Sequence, residues 1–242
     1  MARSLFHRRQ VQGDTVDTSP ANLVTLLDPA GEASEAYRSL RTGLLYAVAD
    51  APPTVILITS PGLKDCKSTT CANLAVVLAQ AGKDTLVIDG DLHQPSLHEI
   101  FGVPNVNGMV NVLSGEYDLS EAWEVCTEPE PRLKLLSAGP LPPNPAELLI
   151  SGRFAQLIDQ TRPRFDYVLI DSPPTGSVSD PMIIAAQADA VLLVLNSRGT
   201  SRGSLRRAVR DLEAVGANVL GTVMNKALKT ETGSYGSYGF RY

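Results

Sequence analysis

Lys67, Ser68 and the aspartates Asp89, Asp91 and Asp171 are the residues whose types and spacing could handle a phosphate. Lys67 and Ser68 close the stretch Pro61-Gly62-Leu63-Lys64-Asp65-Cys66-Lys67-Ser68-Thr69, which approaches the pattern G-x-x-x-x-G-K-[ST]. In that pattern loop amides and the unpaired N–H groups of a helix start converge on phosphate oxygens, and the helix dipole favours their charge. The lysine would reach the outer phosphates and the serine hydroxyl would hold magnesium. Pro61 and Cys66 stand at the two glycine positions. The second matters more, because glycine there tolerates φ > 0 and lets the backbone approach the phosphate. A Cβ and a sulfur at Cys66 would crowd the phosphates and strain the loop.

Asp89 follows Thr85-Leu86-Val87-Ile88, and Asp171 follows Tyr167-Val168-Leu169-Ile170. One such carboxylate can hold magnesium through its waters, and a second can orient or deprotonate an attacking hydroxyl. Each aspartate alone reads equally well as a turn or helix-capping residue. Their repetition at strand ends is the stronger signal.

Positioning these residues requires strands that end at one edge. Thr54 to Ile58 is a β-branched run leading into the loop, and Leu74, Val77 and Leu78 beyond it are spaced as one helix face. Helices are expected around Phe154-Leu157-Ile158, from Ser177 to Ala188 and from Leu205 to Val215; strands at Ala190 to Leu195 and Val219 to Met224, the last ending at Asn225-Lys226. This alternation predicts an α/β fold, a doubly wound and mainly parallel sheet with helices on both faces. Ligands of such sheets lie beyond the carboxyl ends of the strands. Between the aspartate strands, Leu135 to Leu149 is proline-rich and reads as a rigid loop, with Asn144 capping a helix that Pro145 starts.

Composition narrows the class. The chain has 242 residues, 43% apolar and only 5% aromatic, which suits one large aliphatic core. A net charge of −5 gives no reason to expect nucleic acid. No apolar run approaches the roughly 20 residues that span a bilayer. Arg3, Arg8 and Arg9 precede no apolar segment, so a secretory signal is not expected. Cys66, Cys71 and Cys126 fit neither a disulfide framework nor a zinc site, and His7, His93 and His98 lack ligand spacing. A reducing, cytoplasmic setting is expected. Trp123 and Phe101 read as packing residues.

Residues 1–31 read as a leader, largely disordered, and ordered structure is expected from residue 32 to 228. A helix over Ala33 to Val48 would turn Ala36, Leu40, Gly43 or Leu44, and Ala47 to one side. Glu35, Arg38 and Arg41 would then share another stripe, either a self-paired solvated face or a contact reading a carboxylate or phosphate on a neighbour. Arg202, Arg206 and Arg210 form a basic helix face that is either solvated or partner-binding. Residues 229–242 hold frequent glycine, with Tyr235, Tyr238 and Tyr242, and little to bury. Extended at about 3.3 Å per residue, such a tail could span about 40 Å and enter a neighbouring site.

The chain resembles the bacterial tyrosine kinases of the polysaccharide-export type, related by fold to the deviant Walker ATPases. Carrying the resemblance are Glu35-Ala36-Tyr37-Arg38-Ser39-Leu40-Arg41-Thr42, the loop ending Lys67-Ser68-Thr69, Asp89-Gly90-Asp91, Gly139-Pro140-Leu141-Pro142-Pro143-Asn144-Pro145, Asp171-Ser172-Pro173-Pro174 and the terminal tyrosines. It implies that Lys67 and Ser68 are Walker A residues, Asp89 and Asp91 Walker A′ carboxylates and Asp171 the Walker B aspartate. Ser68, Asp89 and Asp171 would hold Mg2+, and Asn225 would meet the adenine of ATP. Glu35, Arg38 and Arg41 would build a ring of identical subunits, with Tyr235, Tyr238 and Tyr242 as acceptors. His93 departs from the arginine usual in the A′ motif. The implied activity is ATP-dependent tyrosine autophosphorylation controlling capsular or exopolysaccharide synthesis, with Asp89 as general base. The implied partners are a transmembrane co-polymerase adaptor that recruits the cytoplasmic chain to the membrane, and a cognate phosphotyrosine phosphatase. A partition-type ATPase, a ring scaffold without turnover and a nucleotide-binding regulator are the alternative readings.

Overall fold

The computed structural model describes residues 23–47, 52–125 and 131–227. Its centre is a seven-stranded sheet in the order β3-β4-β2-β5-β1-β6-β7. The strands are β1 (Val55–Thr59), β2 (Thr85–Asp89), β3 (Glu124–Val125), β4 (Leu133–Leu136), β5 (Tyr167–Asp171), β6 (Ala190–Asn196) and β7 (Val219–Asn225). All neighbours pair in parallel except the short edge strand β3, which runs antiparallel to β4.

Helices cover both faces, as a parallel sheet requires when its strands are apolar on each side. They are α1 (Val24–Leu27), α2 (Glu32–Ala47), α3 (Lys67–Gln80), α4 (Leu97–Phe101), α5 (Met109–Ser114), α6 (Leu119–Ala122), α7 (Pro145–Ile150), α8 (Gly152–Thr161), α9 (Asp180–Ala185) and α10 (Arg202–Ala214). Alternation along each strand divides the core in two. Val55, Leu57, Leu86, Ile88, Val168 and Ile170 pack with Phe154, Leu157 and Leu212 of α8 and α10. Ile56, Ile58, Val87 and Leu169 pack with Leu74, Val77 and Leu78 of α3 on the other face. Each such side chain removed from water contributes about 1.5–3 kcal/mol. Small residues, Cys71, Ala72, Ala75 and Ala79, let α3 lie close to the sheet, and Thr70 through Ala79 are all buried.

Four expectations need correction. Packed structure is already present before Gly31: Leu23 and Thr25 are buried, and Thr25 gives both its N–H (3.1 Å) and its hydroxyl (2.9 Å) to Asn73 Oδ1 on α3. The inner face of α2 is Tyr37, Leu40 and Leu44, whereas Ala36 is exposed. The helix expected from Ser177 to Ala188 is limited to Asp180–Ala185. Helix α7 does start at Pro145, but Asn144 makes no capping bond; its side-chain amide donates to Glu147 Oε2 at 3.2 Å.

Candidate active site

Between β1 and α3 the loop turns through left-handed conformations at Lys64 (φ 63°) and Cys66 (φ 66°). Cys66 therefore occupies the backbone state that a glycine would take freely, at a cost of about 1–2 kcal/mol for an L-residue. Side chains distant in sequence brace the loop. Buried Asp65 accepts the Gly62 N–H on Oδ2 (3.1 Å) and the Thr200 hydroxyl on Oδ1 (3.0 Å). Asn225 Nδ2 donates to the Asp65 carbonyl (3.3 Å) and to Thr70 Oγ1 (2.8 Å), so its amide group ties the end of β7 to the loop and to α3. Leu63 and Lys64 face solvent and Pro61 is buried.

The acidic residues meet Lys67 at the strand ends. Lys67 Nζ lies 2.9 Å from Asp91 Oδ2 and 3.4 Å from Asp171 Oδ2. The Ser68 hydroxyl donates to Asp171 Oδ2 at 2.6 Å, while Asp171 Oδ1 is buried without a partner. Asp89 and Asp171 stand opposite each other in the β2–β5 register, which explains why they feel one another's charge. Burial, and then Asp171, push Asp89 up to about 8, against the stabilising amide of Leu97. Burial also raises Asp171, opposed by Lys67 and Ser68. For Lys67, burial disfavours the charge, but the carboxylates of Asp171, Asp91 and Asp89 outweigh it and the pKa rises.

Asp89, the expected base, is a deeply engaged group. Its Oδ2 accepts the N–H groups of Ser96 (3.0 Å) and Leu97 (2.9 Å) at the start of α4, and its Oδ1 accepts the Asp91 N–H at 3.3 Å. Gly90 explains the spacing of this pair of acids: a Cβ there would stand 2.7 Å from the Asp171 carbonyl. Asp91 in turn accepts the N–H groups of Gln94 (2.9 Å) and His93 (3.3 Å) on Oδ1, leaving Oδ2 to Lys67.

The arrangement fits a hard cation. An unpartnered buried carboxylate oxygen beside a serine hydroxyl suits magnesium, which takes few protein ligands and fills its shell with water and substrate phosphates. Ser68 and Asp171 would hold it; Asp89, the third expected ligand, already accepts three backbone N–H groups. A groove of about 770 Å³ lies elsewhere, lined by Leu113, Pro142, Glu147 and Arg153 among others, and includes none of these groups.

The remaining expected residues lie apart. Glu35 and Arg38 pair with each other at 2.7 Å on the outer side of α2, and Arg38 also donates to the Pro29 carbonyl. Arg41 instead turns inward and donates to the Val77 carbonyl of α3 at 3.0 Å. Tyr235, Tyr238 and Tyr242 lie outside the described residues, as do His7 and Cys126. Thr200 and Asp180 escaped sequence reading, because their partners Asp65 and His93 are 135 and 87 residues away.

Comparison with known proteins agrees with this geometry. The ParA family model, described as NUBPL iron-transfer P-loop NTPase, matches residues 54–235. Tyrosine-protein kinase YwqD of Bacillus subtilis is 37% identical over 90% of this chain and 91% of its own length. Among solved structures, the chimerical protein CapA2B2 superposes with a TM-score of 0.82 at 36% identity, covering 86% of this chain and 91% of that one. The kinase domain of Escherichia coli tyrosine kinase ETK gives 0.82 at 28% identity, covering 97% and 88%. With Lys67, Ser68 and the strand-end aspartates brought together on a ParA-type sheet, the chain belongs to the bacterial tyrosine kinases of capsule and exopolysaccharide biosynthesis, within the P-loop NTPases.

Proposed function

We propose that the chain transfers the γ-phosphoryl group of ATP to Tyr235, Tyr238 and Tyr242 of neighbouring copies in a ring. The observation that carries this is the meeting of Lys67 and Ser68 with Asp171 and Asp91 at the strand ends. Loop amides and Lys67 hold the phosphates and offset charge gathering on the transferred group. Magnesium, when bound, would neutralise charge between the outer phosphates. Asp89 takes the tyrosine proton on Oδ1, whose one hydrogen bond among the described residues is the longer one from the Asp91 amide, while Oδ2 stays with α4. The tyrosine O–H bond breaks, the new P–O bond forms, and ADP leaves.

Glu35 and Arg38 face outward and suit a subunit contact; Arg41 supports α2 against α3 from within. A transmembrane co-polymerase adaptor would recruit the chain to the inner face of the membrane, and a phosphatase would reset the tail. Each tail phosphate adds about −1.5 to −2 charge, which would loosen the ring. Mass spectrometry of the purified chain before and after incubation with Mg-ATP tests this. Phosphotyrosine on the tail is expected, and its loss, with ATP hydrolysis retained, when Tyr235, Tyr238 and Tyr242 become Phe. Phosphotyrosine persisting elsewhere would refute the tail assignment. Hydrolysis without any phosphotyrosine would favour a partition-type ATPase, and binding without turnover a scaffold, which the left-handed Cys66 specifically favours.

A further inference from the structure

The turn after β2 is fastened to the opposite side of the site by a side chain that the chemistry above does not use. His93 Nε2 lies 3.0 Å from Asp180 Oδ2. Asp180 begins α9, and its side chain is only 2% exposed, whereas His93 is 39% exposed. A buried carboxylate is costly unless paired, so the turn bearing His93 is drawn toward α9. The same turn presents Asp91, whose Oδ1 accepts the His93 and Gln94 amides while Oδ2 meets Lys67. Residues that follow β2 and residues that follow β5 are thus joined 87 positions apart, across the site.

We propose that His93 is a positioning residue for phosphoryl transfer: by clasping Asp180 it fixes the turn after β2, and with it the carboxylate that aims Lys67. The histidine stands where the family resemblance leads one to expect arginine, and a guanidinium could reach the same carboxylate. The loop amides that hold the phosphates lie before α3 and are untouched by the clasp, so a misaimed Lys67 tells mainly on the transferred group: the clasp acts chiefly on the rate and little on affinity. The inference rests on the kinase reading for its rate effect, but not for its structural effect.

Hydrogen exchange and single-turnover kinetics on the full chain test both. In His93→Ala the Gln94 amide should exchange at least several-fold faster. Tail phosphorylation should slow by roughly an order of magnitude, since small misplacements of reacting groups cost that much or more. Mg-ATP affinity should stay within about twofold. Asp180→Asn should behave alike, the double variant should be no worse than either single one, as expected of two residues acting through one contact, and His93→Arg should restore the rate. Unchanged exchange at Gln94 in His93→Ala overturns the clasp, whatever the activity. Losses that add in the double variant, or a weakened Mg-ATP affinity that accounts for the slower rate, overturn the positioning role. Faster exchange with no tail phosphate even in the wild type would count against the kinase reading alone.

Discussion

The two edges of the central sheet both carry aspartates, and their surroundings are opposite. At the carboxyl edge, Asp89 and Asp171 are buried side by side with their proton affinities raised, and Lys67 is the cation that meets Asp171 and Asp91. At the amino edge, Asp189 Oδ2 accepts Thr54 N–H (3.0 Å), Val55 N–H (2.8 Å) and Arg162 Nη1 (2.8 Å). Partial burial would raise Asp189, but the Arg162 hydrogen bond and the two amides outweigh it and the pKa is lowered. One edge leaves a buried carboxylate oxygen, Asp171 Oδ1, without a partner, which makes it available to a cation or a proton; the other gathers three donors on one oxygen of Asp189 and gains rigidity. Sites commonly trade stability for such availability.

The largest effect that would break this contrast comes from Lys67→Met. It removes the cation of the active edge and should lower tail phosphorylation by about 10²–10³-fold, the scale of losing one transition-state contact. Single-turnover assays read this directly, and a fall under tenfold would mean that Lys67 is not aimed at the transferred group. Next in size is Asp189→Ala, which strands two strand-start amides and Arg162. It should cost about 1–3 kcal/mol of stability, or roughly 2–4 °C of melting temperature per kcal/mol for a domain of this size. Activity per folded molecule should be unchanged; lost activity at full stability would blur the division between the edges.

The same residue gives a pH test with a definite sign. Because its folded pKa lies below the unfolded value, its contribution is fully present above about pH 4 and fades as pH falls through the folded value. The gap in stability between wild type and Asp189→Asn should therefore narrow below about pH 4, as measured by denaturant unfolding. A gap that widens in acid would reverse the assignment.

Smaller still is Cys66→Gly, which frees a left-handed backbone position. Relief of about 1–2 kcal/mol should tighten Mg-ATP binding by roughly five- to thirtyfold if all of it is expressed in binding. Saturating Mg-ATP should also protect Cys66 from alkylation. Equal affinities by calorimetry would show that the loop adapts to the side chain, and equal alkylation rates would move the phosphate away from Cys66.

What the sequence made legible follows the range of each interaction. The apolar runs before Thr59, Asp89 and Asp171 named three central strands and the edge where their ends gather, because a buried parallel strand is written in consecutive residues. Lys67 and Ser68 were legible from a local motif. The role of Asp89 as the anchor of α4 was not, since Ser96 and Leu97 lie beyond a turn with no periodic pattern. On α2, arginine spacing suggested one outward stripe, but a long side chain can bury its stem, and Arg41 finds a carbonyl of α3 while Arg38 pairs with Glu35. The Asp65–Thr200 and Asp65–Asn225 braces join residues 135 and 160 positions apart, which spacing does not encode. Trp123 was correctly placed as packing: it meets Phe165 edge-on at 5.3 Å, with Lys134 Nζ 4.5 Å from its ring centroid.

The strap formed by α1 has a practical consequence. Thr25 feeds both of its donors to Asn73, and Leu23 fills a place in the core beside α3. A shortened version cut at Gly31, where turn-forming residues invite a boundary, would leave the Asn73 carbonyl oxygen without those donors and bare an apolar hollow on the helix that carries Lys67. Such a fragment should be prone to self-association and a poor choice for inhibitor screening, whereas one retaining Leu23 and Thr25 keeps the back of the phosphate-binding helix sealed.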